Sequence, residues 1–404
     1  MTGVFGRSSV SSAAGPAGGL TDLGHAVSGA GQAGSEPDEG GPRVGVRVRV
    51  PATSANLGPG FDAYGLALGY YDDVEVTLRR RGLSVSVTGA EQVSDGEDNL
   101  VVRAIRATFD ELGRPQPGLD VRCVNRIPHG RGLGSSAAAI VAGVAAAWAL
   151  DPDGYLTAAA GDAGSGVPAG LSSGADAFDR SGALRVATAI EGHPDNVAAA
   201  LFGGFTAAWT GPDGVAVHRA EPIAELRPVA FVPSARTSTS ASRGRLPELL
   251  AHGDAAFSAG RAGLLALALT LPVSAPGGQS APGGRSGPGG LAVPGSHGVL
   301  GSHGVPVDAT AAVAARARLL MAATEDRLHQ PYRLPAVPES AALVERLRAA
   351  GVASVLSGSG PTVLALAVGG TQAATAVGVP APGFAVLPLA VDRDGLRVTS
   401  AGSR

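Results

Sequence analysis

Lysine is absent from the 404 residues, so all 31 side-chain cations are arginines. A Walker-type phosphate-binding lysine, a pyridoxal Schiff base and the lysine of protein kinases are therefore excluded. A chain that used ATP would have to hold its phosphates another way. A single cysteine, Cys123, excludes an internal disulfide framework and a cysteine-rich zinc site. Aromatic residues make up only 4% of the chain and the formal net charge is −3. Neither figure suggests a nucleic-acid surface or a polybasic membrane footprint. The longest apolar run, Ala137–Leu150, is 14 residues long. It is too short to cross a bilayer and reads as a buried core helix. The opening residues lack the basic segment and apolar run of a secretory signal. The expectation is a cytoplasmic protein without membrane or nucleic-acid partners.

What is present is 45% hydrophobic residues in a length that accommodates two ordinary domains. With 61 glycines and 29 prolines, part of the chain must be loosely organised. Residues 1–42 read as a disordered tail, and residues 272–306, with near-repeats of Ser-Ala-Pro-Gly-Gly and Gly-Ser-His-Gly-Val, as a low-complexity insertion. A further insertion is placed at about 155–180, and 396–404 is taken as a second tail. Between these, Val44–Val50 alternates valine and arginine as a half-buried strand, and Asp73–Arg79, Leu83–Val87 and Leu119–Val124 follow as strands. Asn99–Leu112 and 135–150 have helical patterns, as do Ala183–Ile190 and Pro194–Leu201. In the second half, Arg227–Val232 reads as a strand. Pro247–Leu250, Ala255–Leu269, Ala309–Met321 and Glu339–Ala350 read as helices, and Ala353–Leu356 with Thr362–Val368 as a strand-loop-strand. The mixture is an α+β chain.

Four segments carry chemistry. Pro128-His-Gly-Arg-Gly-Leu-Gly-Ser-Ser-Ala-Ala-Ala139 runs into the alanine-rich helix. Its glycines permit close backbone approach, and the helix N-terminus is an anion site that needs no lysine. A serine hydroxyl there could cap the helix or ligate Mg²⁺, and a plain glycine turn with a serine cap is the alternative. Pro51–Gly65 offers Asn56 and Asp62 in a loop after a strand, suited to a hydroxyl and an ammonium or to ordinary turn chemistry. Glu191-Gly-His-Pro-Asp-Asn196 gathers polar groups at a helix start, either for a cation and substrate or as a cap. Ser357-Gly-Ser-Gly-Pro-Thr362 is a glycine loop between apolar strands, a ligand-facing turn or a simple hairpin.

The combination is more specific than any member. Ala52-Thr-Ser-Ala-Asn-Leu-Gly-Pro-Gly-Phe-Asp62, Gly132-Leu-Gly-Ser-Ser-Ala137 and Leu356-Ser-Gly-Ser-Gly-Pro-Thr362 resemble, in order, the three motifs of the GHMP small-molecule kinases. His193-Pro-Asp-Asn-Val197 brings the resemblance to the branch that phosphorylates homoserine. The resemblance implies a two-domain architecture. An N-terminal ribosomal-protein-S5-like domain would span 43–215, and a C-terminal ferredoxin-like domain 216–395. It implies ATP-dependent phosphorylation of the L-homoserine side-chain hydroxyl, with Mg²⁺, as a step in threonine synthesis. Other readings are another kinase of the family or a catalytically weak nucleotide- or amino-acid-binding module. The oligomeric state stays open, a homodimer being among the states admitted.

Residue roles also follow from the resemblance. ATP would lie over Pro128, His129, Gly130, Arg131, Gly132, Leu133, Gly134, Ser135, Ser136, Ala137 and Ala138, with Asn99 near the base. Asn56 would hold the substrate hydroxyl, Asp62 its ammonium, and His193 would line the pocket. Two arginines, Arg243 and Arg333, suit the carboxylate because a planar fork matches it. Thr239 would join the pocket and Gly358 would close it. Asn196 stands where mevalonate-type relatives carry a catalytic Asp, so the hydroxyl would attack directly, while Asp195 keeps a base role open. Mg²⁺ would be met by Ser135 and Glu191. One departure concerns that metal: other branches of the family place its glutamate eight residues before the pocket histidine, a position held here by Arg185.

Overall fold

The structure, a computed structural model, describes residues 44–89, 91, 93–151, 179–236, 239–271 and 309–401. The expected tail over 1–42, the low-complexity segment 272–306 and the insertion through residue 178 lie outside the described residues.

Strand β1 (Gly45–Ala55) follows the valine–arginine alternation: Val46, Val48 and Val50 are buried, while Arg47 and Arg49 face solvent. It pairs antiparallel with β2 (Tyr64–Arg79), with a register shift between Pro51 and Ala52. β2 begins nine residues before the expected strand, because the glycine loop ends at Ala63 and the chain at once pairs back on β1. β3 (Leu83–Gly89) runs parallel to β4 (Gly118–Asn125), which lies antiparallel on β2. β5 (Phe205–Gly211) pairs with the start of β2, and β6 (Gly214–Ala220) pairs with β5. Helices α1 (Leu100–Glu111), α2 (Ser135–Leu150), α3 (Arg180–Glu191) and α4 (Asp195–Phe202) share this sheet's core. The small side chains of α2 are buried almost all round, as expected of a helix that is apolar on every face.

The second sheet holds β7 (Leu226–Pro233), β8 (Ser354–Leu356), β9 (Val363–Val368) and β10 (Phe384–Pro388) in the antiparallel order β10-β7-β9-β8. Between β7 and β8 come α5 (Thr239–Arg243), α6 (His252–Thr270), α7 (Ala309–Ala323), α8 (Gln330–Arg333) and α9 (Pro338–Ala349). α10 (Gly369–Gly378) links β9 to β10. Helical crossovers after the first and third strands of this sheet give the βαββαβ wiring of the ferredoxin-like class. β9 serves two cores. Leu364, Leu366 and Val368 join the core of the first sheet, while Val363, Ala365 and Ala367 join that between the second sheet and α9. This is the period-two alternation of a strand buried on both faces.

Three expectations are corrected. Pro247–Leu250 is not helical, and Leu249, 89% exposed, has no core to pack on. Pro194 sits at the N-cap of α4 rather than inside its first turn. The segment after 396 is not a tail: β11 (Arg397–Ser400) pairs antiparallel with β1, and Leu396 is buried.

Candidate active site

The site is built where β1 runs out. Asn56, Leu57 and Asp62 all have positive φ, at 67°, 51° and 56°. Such angles cost non-glycine residues roughly 1 kcal/mol or more each, so the loop must be held from several sides. The Asn56 N–H donates to Tyr64 O (2.8 Å), and that of Leu57 to Ala55 O (2.8 Å). The Asn56 side chain accepts from the Asp62 N–H (2.9 Å) and donates to Gly358 O (2.9 Å). Asn56 thus joins its own loop to the hairpin between β8 and β9, and one amide hydrogen remains for a ligand.

The glycine loop before α2 lies against the same hairpin. Gly132 has φ +86°, and a side chain there would overlap the carbonyl oxygen of Ser357. The Ser357 hydroxyl bonds Gly132 O (2.5 Å). Gly134, with φ +71°, caps α2. Neither Ser135 nor Ser136 does, so the serine cap, one of the readings of this turn, is not formed. Among the described residues no side-chain cap bond is formed, glycine having no side chain to accept from the first turn. Its N–H groups stay available to an anion.

Two hollows meet at this loop. The first, of about 620 Å³, is lined by Asn56, Asp62, Gly130, Gly132, Gly134, Ser135, Ser136, Glu191, His193, Asp195, Asn196, Arg243, Arg333 and Gly358. The second, of about 1010 Å³, shares Gly130, Ser135 and Ser136 and extends past His129, Ala138 and Asn99. Asn99 is the N-cap of α1, accepting from the Val101 N–H (3.0 Å) and donating to Ser94 O (2.7 Å). Leu133 and Ala137 are core residues that carry the loop and do not line the hollows. Pro128 and Arg131 face away, toward a separate hollow beside β7. The Arg131 guanidinium pairs with Glu91 and donates to Pro233 O (2.9 Å) and Ser234 O (3.0 Å). Its side chain is a tie between loop and strand, leaving only its backbone for a nucleotide. Thr239 opens α5, at whose other end stands Arg243.

Charge is arranged unevenly in the first hollow. Asp62 and Arg243 form a bidentate pair at 2.7 and 2.9 Å, and that hydrogen bonding holds the Arg243 guanidinium above its usual value. Arg333 is only 3% exposed, and its Nε has no hydrogen-bond partner. Among the described residues no carboxylate lies within 4 Å of it. Burial first, and then the Arg243 charge, push Arg333 below its ordinary value. A buried cation of this kind calls for an anion. Opposite, the Glu191 carboxylate accepts from the Ser136 hydroxyl (2.7 Å), and burial raises its pKa. Successive residues of a helix diverge by about 100°; the hydroxyl bonded to Glu191 is that of Ser136, while Ser135, named with Glu191 for the metal, lines the same hollow. Arg185 is exposed on α3 and does not line the hollow. His193 Nδ1 lies 2.6 Å from Asp195 Oδ1. Burial opposes protonation there, but the Asp195 hydrogen bond and charge outweigh it and hold His193 above its usual value.

Asn196 is oriented by a residue that sequence reasoning did not single out. Thr53 Oγ1 donates to Asn196 Oδ1 (2.8 Å). Asn196 Nδ2 lies 3.5 Å from Asp195 Oδ1, a carboxylate that only the NH₂ end can face. Gly134 packs on this contact, since a side chain there would overlap Thr53. His329, also not singled out, lies wholly buried behind Arg333. Its signal was its place four residues before Arg333, one helical turn away.

A glycine loop feeding a helix whose first N–H groups no described side chain takes up, two joined hollows and a ferredoxin-like second half define a small-molecule phosphotransferase of the GHMP type. Residues 99–178 match the GHMP kinases N terminal domain and residues 310–377 the GHMP kinases C terminal model. The chain is 44% identical over 362 residues to the homoserine kinase of Streptomyces coelicolor, covering 86% of this chain and 96% of that protein. It is 42% identical over 365 residues to that of Clavibacter michiganensis, covering 87% and 93%. In fold it is similar to the crystal structure of homoserine kinase from Cytophaga hutchinsonii, with a TM-score of 0.63 at 24% identity, covering 88% and 97%. The chain belongs to the homoserine kinase family of GHMP kinases.

Proposed function

We propose that the first hollow binds L-homoserine and the second the nucleotide, and that the γ-phosphoryl group of ATP passes to the side-chain hydroxyl to give O-phospho-L-homoserine. The observation that carries this reading is Arg333, a buried cation that has no counter-ion among the described residues, beside the Asp62–Arg243 pair. An α-amino acid supplies both charges that the pocket exchanges. Its carboxylate would meet Arg333 and Arg243, and its ammonium Asp62. A sugar or an uncharged alcohol would leave Arg333 unpaired and gain nothing from opening the Asp62–Arg243 bond.

The phosphates would lie on the glycine loop, against the free N–H groups of α2, with the base beyond Ser136 near Asn99. The remaining Asn56 amide hydrogen would orient the acceptor hydroxyl. Asn196, its oxygen held by the Thr53 hydroxyl, would turn an N–H toward the hollow to steady charge, and as a neutral amide it takes no proton. Asp195 Oδ1 holds His193 and the Asn196 N–H (2.7 Å), which supports an orienting role for this carboxylate. Phosphoryl transfer depends chiefly on positioning and charge neutralisation, so an arrangement without a base is sufficient. Among the described residues no group of three or more His, Cys, Asp or Glu side chains is placed to hold a metal ion. Glu191 and Ser136 nonetheless fit Mg²⁺, a hard cation that takes few protein oxygens and completes its shell from phosphates and water. When bound it would neutralise phosphate charge.

The test is ADP release from MgATP with L-homoserine, L-serine, L-threonine, mevalonate or galactose as acceptor. The expected result is turnover with homoserine and formation of O-phosphohomoserine. Turnover with galactose instead would refute the carboxylate site, turnover with mevalonate, which has a carboxylate but no ammonium, would refute the Asp62 ammonium site, and nucleotide binding without turnover would favour the binding-module reading. Removal of Mg²⁺ by chelation should abolish the homoserine reaction.

A further inference from the structure

His329 has no exposed surface, and both of its ring nitrogens are committed. Nε2 lies 2.8 Å from Gly58 O, an acceptor, so Nε2 carries the hydrogen. Nδ1 lies 3.3 Å from Arg333 Nη1, a group that can only donate, so Nδ1 presents its lone pair. Both contacts are satisfied by one species, the neutral Nε2–H tautomer. The same Arg333 Nη1 donates to Gly358 O (3.1 Å). With Nη1 fixed twice, the unpartnered Nε and the second terminal nitrogen are the donors left for a ligand. The rings of His329 and Phe61 lie 5.2 Å apart, and the Arg333 guanidinium sits 5.2 Å from the Phe61 ring, so the fork is also steadied from its flat side.

Resting on the homoserine reading above, we propose that neutral His329 is a positioning residue for the substrate carboxylate. It aims the Arg333 fork into the hollow and ties it, through Gly58, to the loop that carries Asn56 and Asp62. The groups facing the imidazole agree with a neutral ring. Asp326 Oδ2 is 3.4 Å from Nε2, but that carboxylate already accepts the N–H groups of His329 (3.2 Å) and Gln330 (2.8 Å). Arg333 stands on the other side, with Asp62 beyond. Burial above all, with the Arg333 charge and against that of Asp326, brings the His329 pKa down to about 4. A protonated ring would set an N–H against the N–H of Arg333.

Two substitutions separate aiming from mere packing. The oxygen of His329→Asn occupies the place of Nδ1 and keeps the acceptor for Arg333, losing the Gly58 bond. The amide nitrogen of His329→Gln occupies the place of Nε2, keeps the Gly58 bond and loses the acceptor. H329Q should raise the homoserine KM roughly tenfold or more, the factor carried by one charge-assisted hydrogen bond. Its kcat and ATP KM should stay within about threefold, as should the homoserine KM of H329N. With 3-aminopropan-1-ol, which lacks the carboxylate, H329Q should match the wild type in kcat/KM. Equal homoserine KM in the two variants, or a penalty that persists with 3-aminopropan-1-ol, would overturn the role. Should either variant fail to fold, the wild-type imidazole ¹⁵N shifts at pH 7 decide. The Nε2–H tautomer is expected, and an imidazolium or Nδ1–H ring would overturn the proposal. If the wild type itself does not turn over homoserine, the functional reading falls while the tautomer measurement still judges the His329–Arg333 contact.

Discussion

Arg333 is the residue at which stability and function pull apart. An ionised group taken out of water without a counter-ion costs several kcal/mol, whereas an apolar side chain of similar shape fills the same space at no such cost. Arg333→Met should therefore melt at or above the wild-type temperature without substrate. It should also lose the thermal shift that homoserine gives the wild type, and its homoserine KM should rise about a hundredfold, in line with removal of a buried charge partner. Thermal melts with and without homoserine, alongside steady-state kinetics, check both arms. A variant that melts well below the wild type while keeping its KM would show that Arg333 is structural. Asp62 and Arg243 differ in kind. The sequence reading assigns them separately to ammonium and carboxylate, but the structure pairs them with each other. A substrate zwitterion would exchange with that pair, each end replacing one partner. No motif announces such pairing, because it depends on how α5 folds over the loop after β1.

At the scale of elements, the glycine loop works because it can lie flat on the hairpin between β8 and β9. Gly113 and Gly132 make a matched comparison: both have positive φ, but a side chain at 113 meets nothing within 4 Å, while one at 132 overlaps backbone. Gly113→Ala should cost about 1 kcal/mol from conformation alone and leave turnover unchanged. Gly132→Ala must also separate loop from hairpin. It should lower Tm by several degrees more and weaken both ATP and homoserine, since Asn56 and Arg333 share Gly358 of that hairpin. Equal melting and equal kinetics for the two variants would show that the contact between loop and hairpin is incidental. Elements with strong patterns were legible. α2 has its expected limits, and β1 follows its alternating valines. β6, α10 and β10 were not. α10 opens on two glycines and among its residues only Ala376 is buried, while β10 at the sheet edge leaves no face fully covered. Their structure comes from tertiary pairing rather than local preference. In the site, motif residues on loops were legible because few other uses explain them. Thr53 and His329 were not, because each acts through a second side chain whose position only the fold supplies.

For the whole molecule the decisive connection is the strand that closes the first sheet. A reading by composition treats residues 1–42 and 396–404 alike, as polar ends with little pattern. Among the described residues, those lining the two hollows lie between 55 and 359, so the strand after Gly395 supplies none of them. Arg397–Ser400 pairs with Val46–Arg49 along the edge of β1, Leu396 is buried, and its N–H donates to Ala200 O (2.9 Å) at the end of α4. Burial of one leucine contributes about 1.5–3 kcal/mol. Removing it would also strip a paired edge from the strand that leads directly into Asn56. A chain ending at Gly395 should therefore melt several degrees lower than the full chain, the shift about 2 kcal/mol brings in a protein of this size. Its turnover at low temperature should survive, because no cleft residue is removed. A chain starting at Pro42 should keep both the melting temperature and the homoserine kinetics of the full chain within about twofold, since β1 begins at Gly45. Melting curves and kinetics on the two truncations test this asymmetry. If the C-terminal truncation melted like the full chain, β11 would be a passive edge, and the path from Arg397 through β1 to Asn56 would carry no stability.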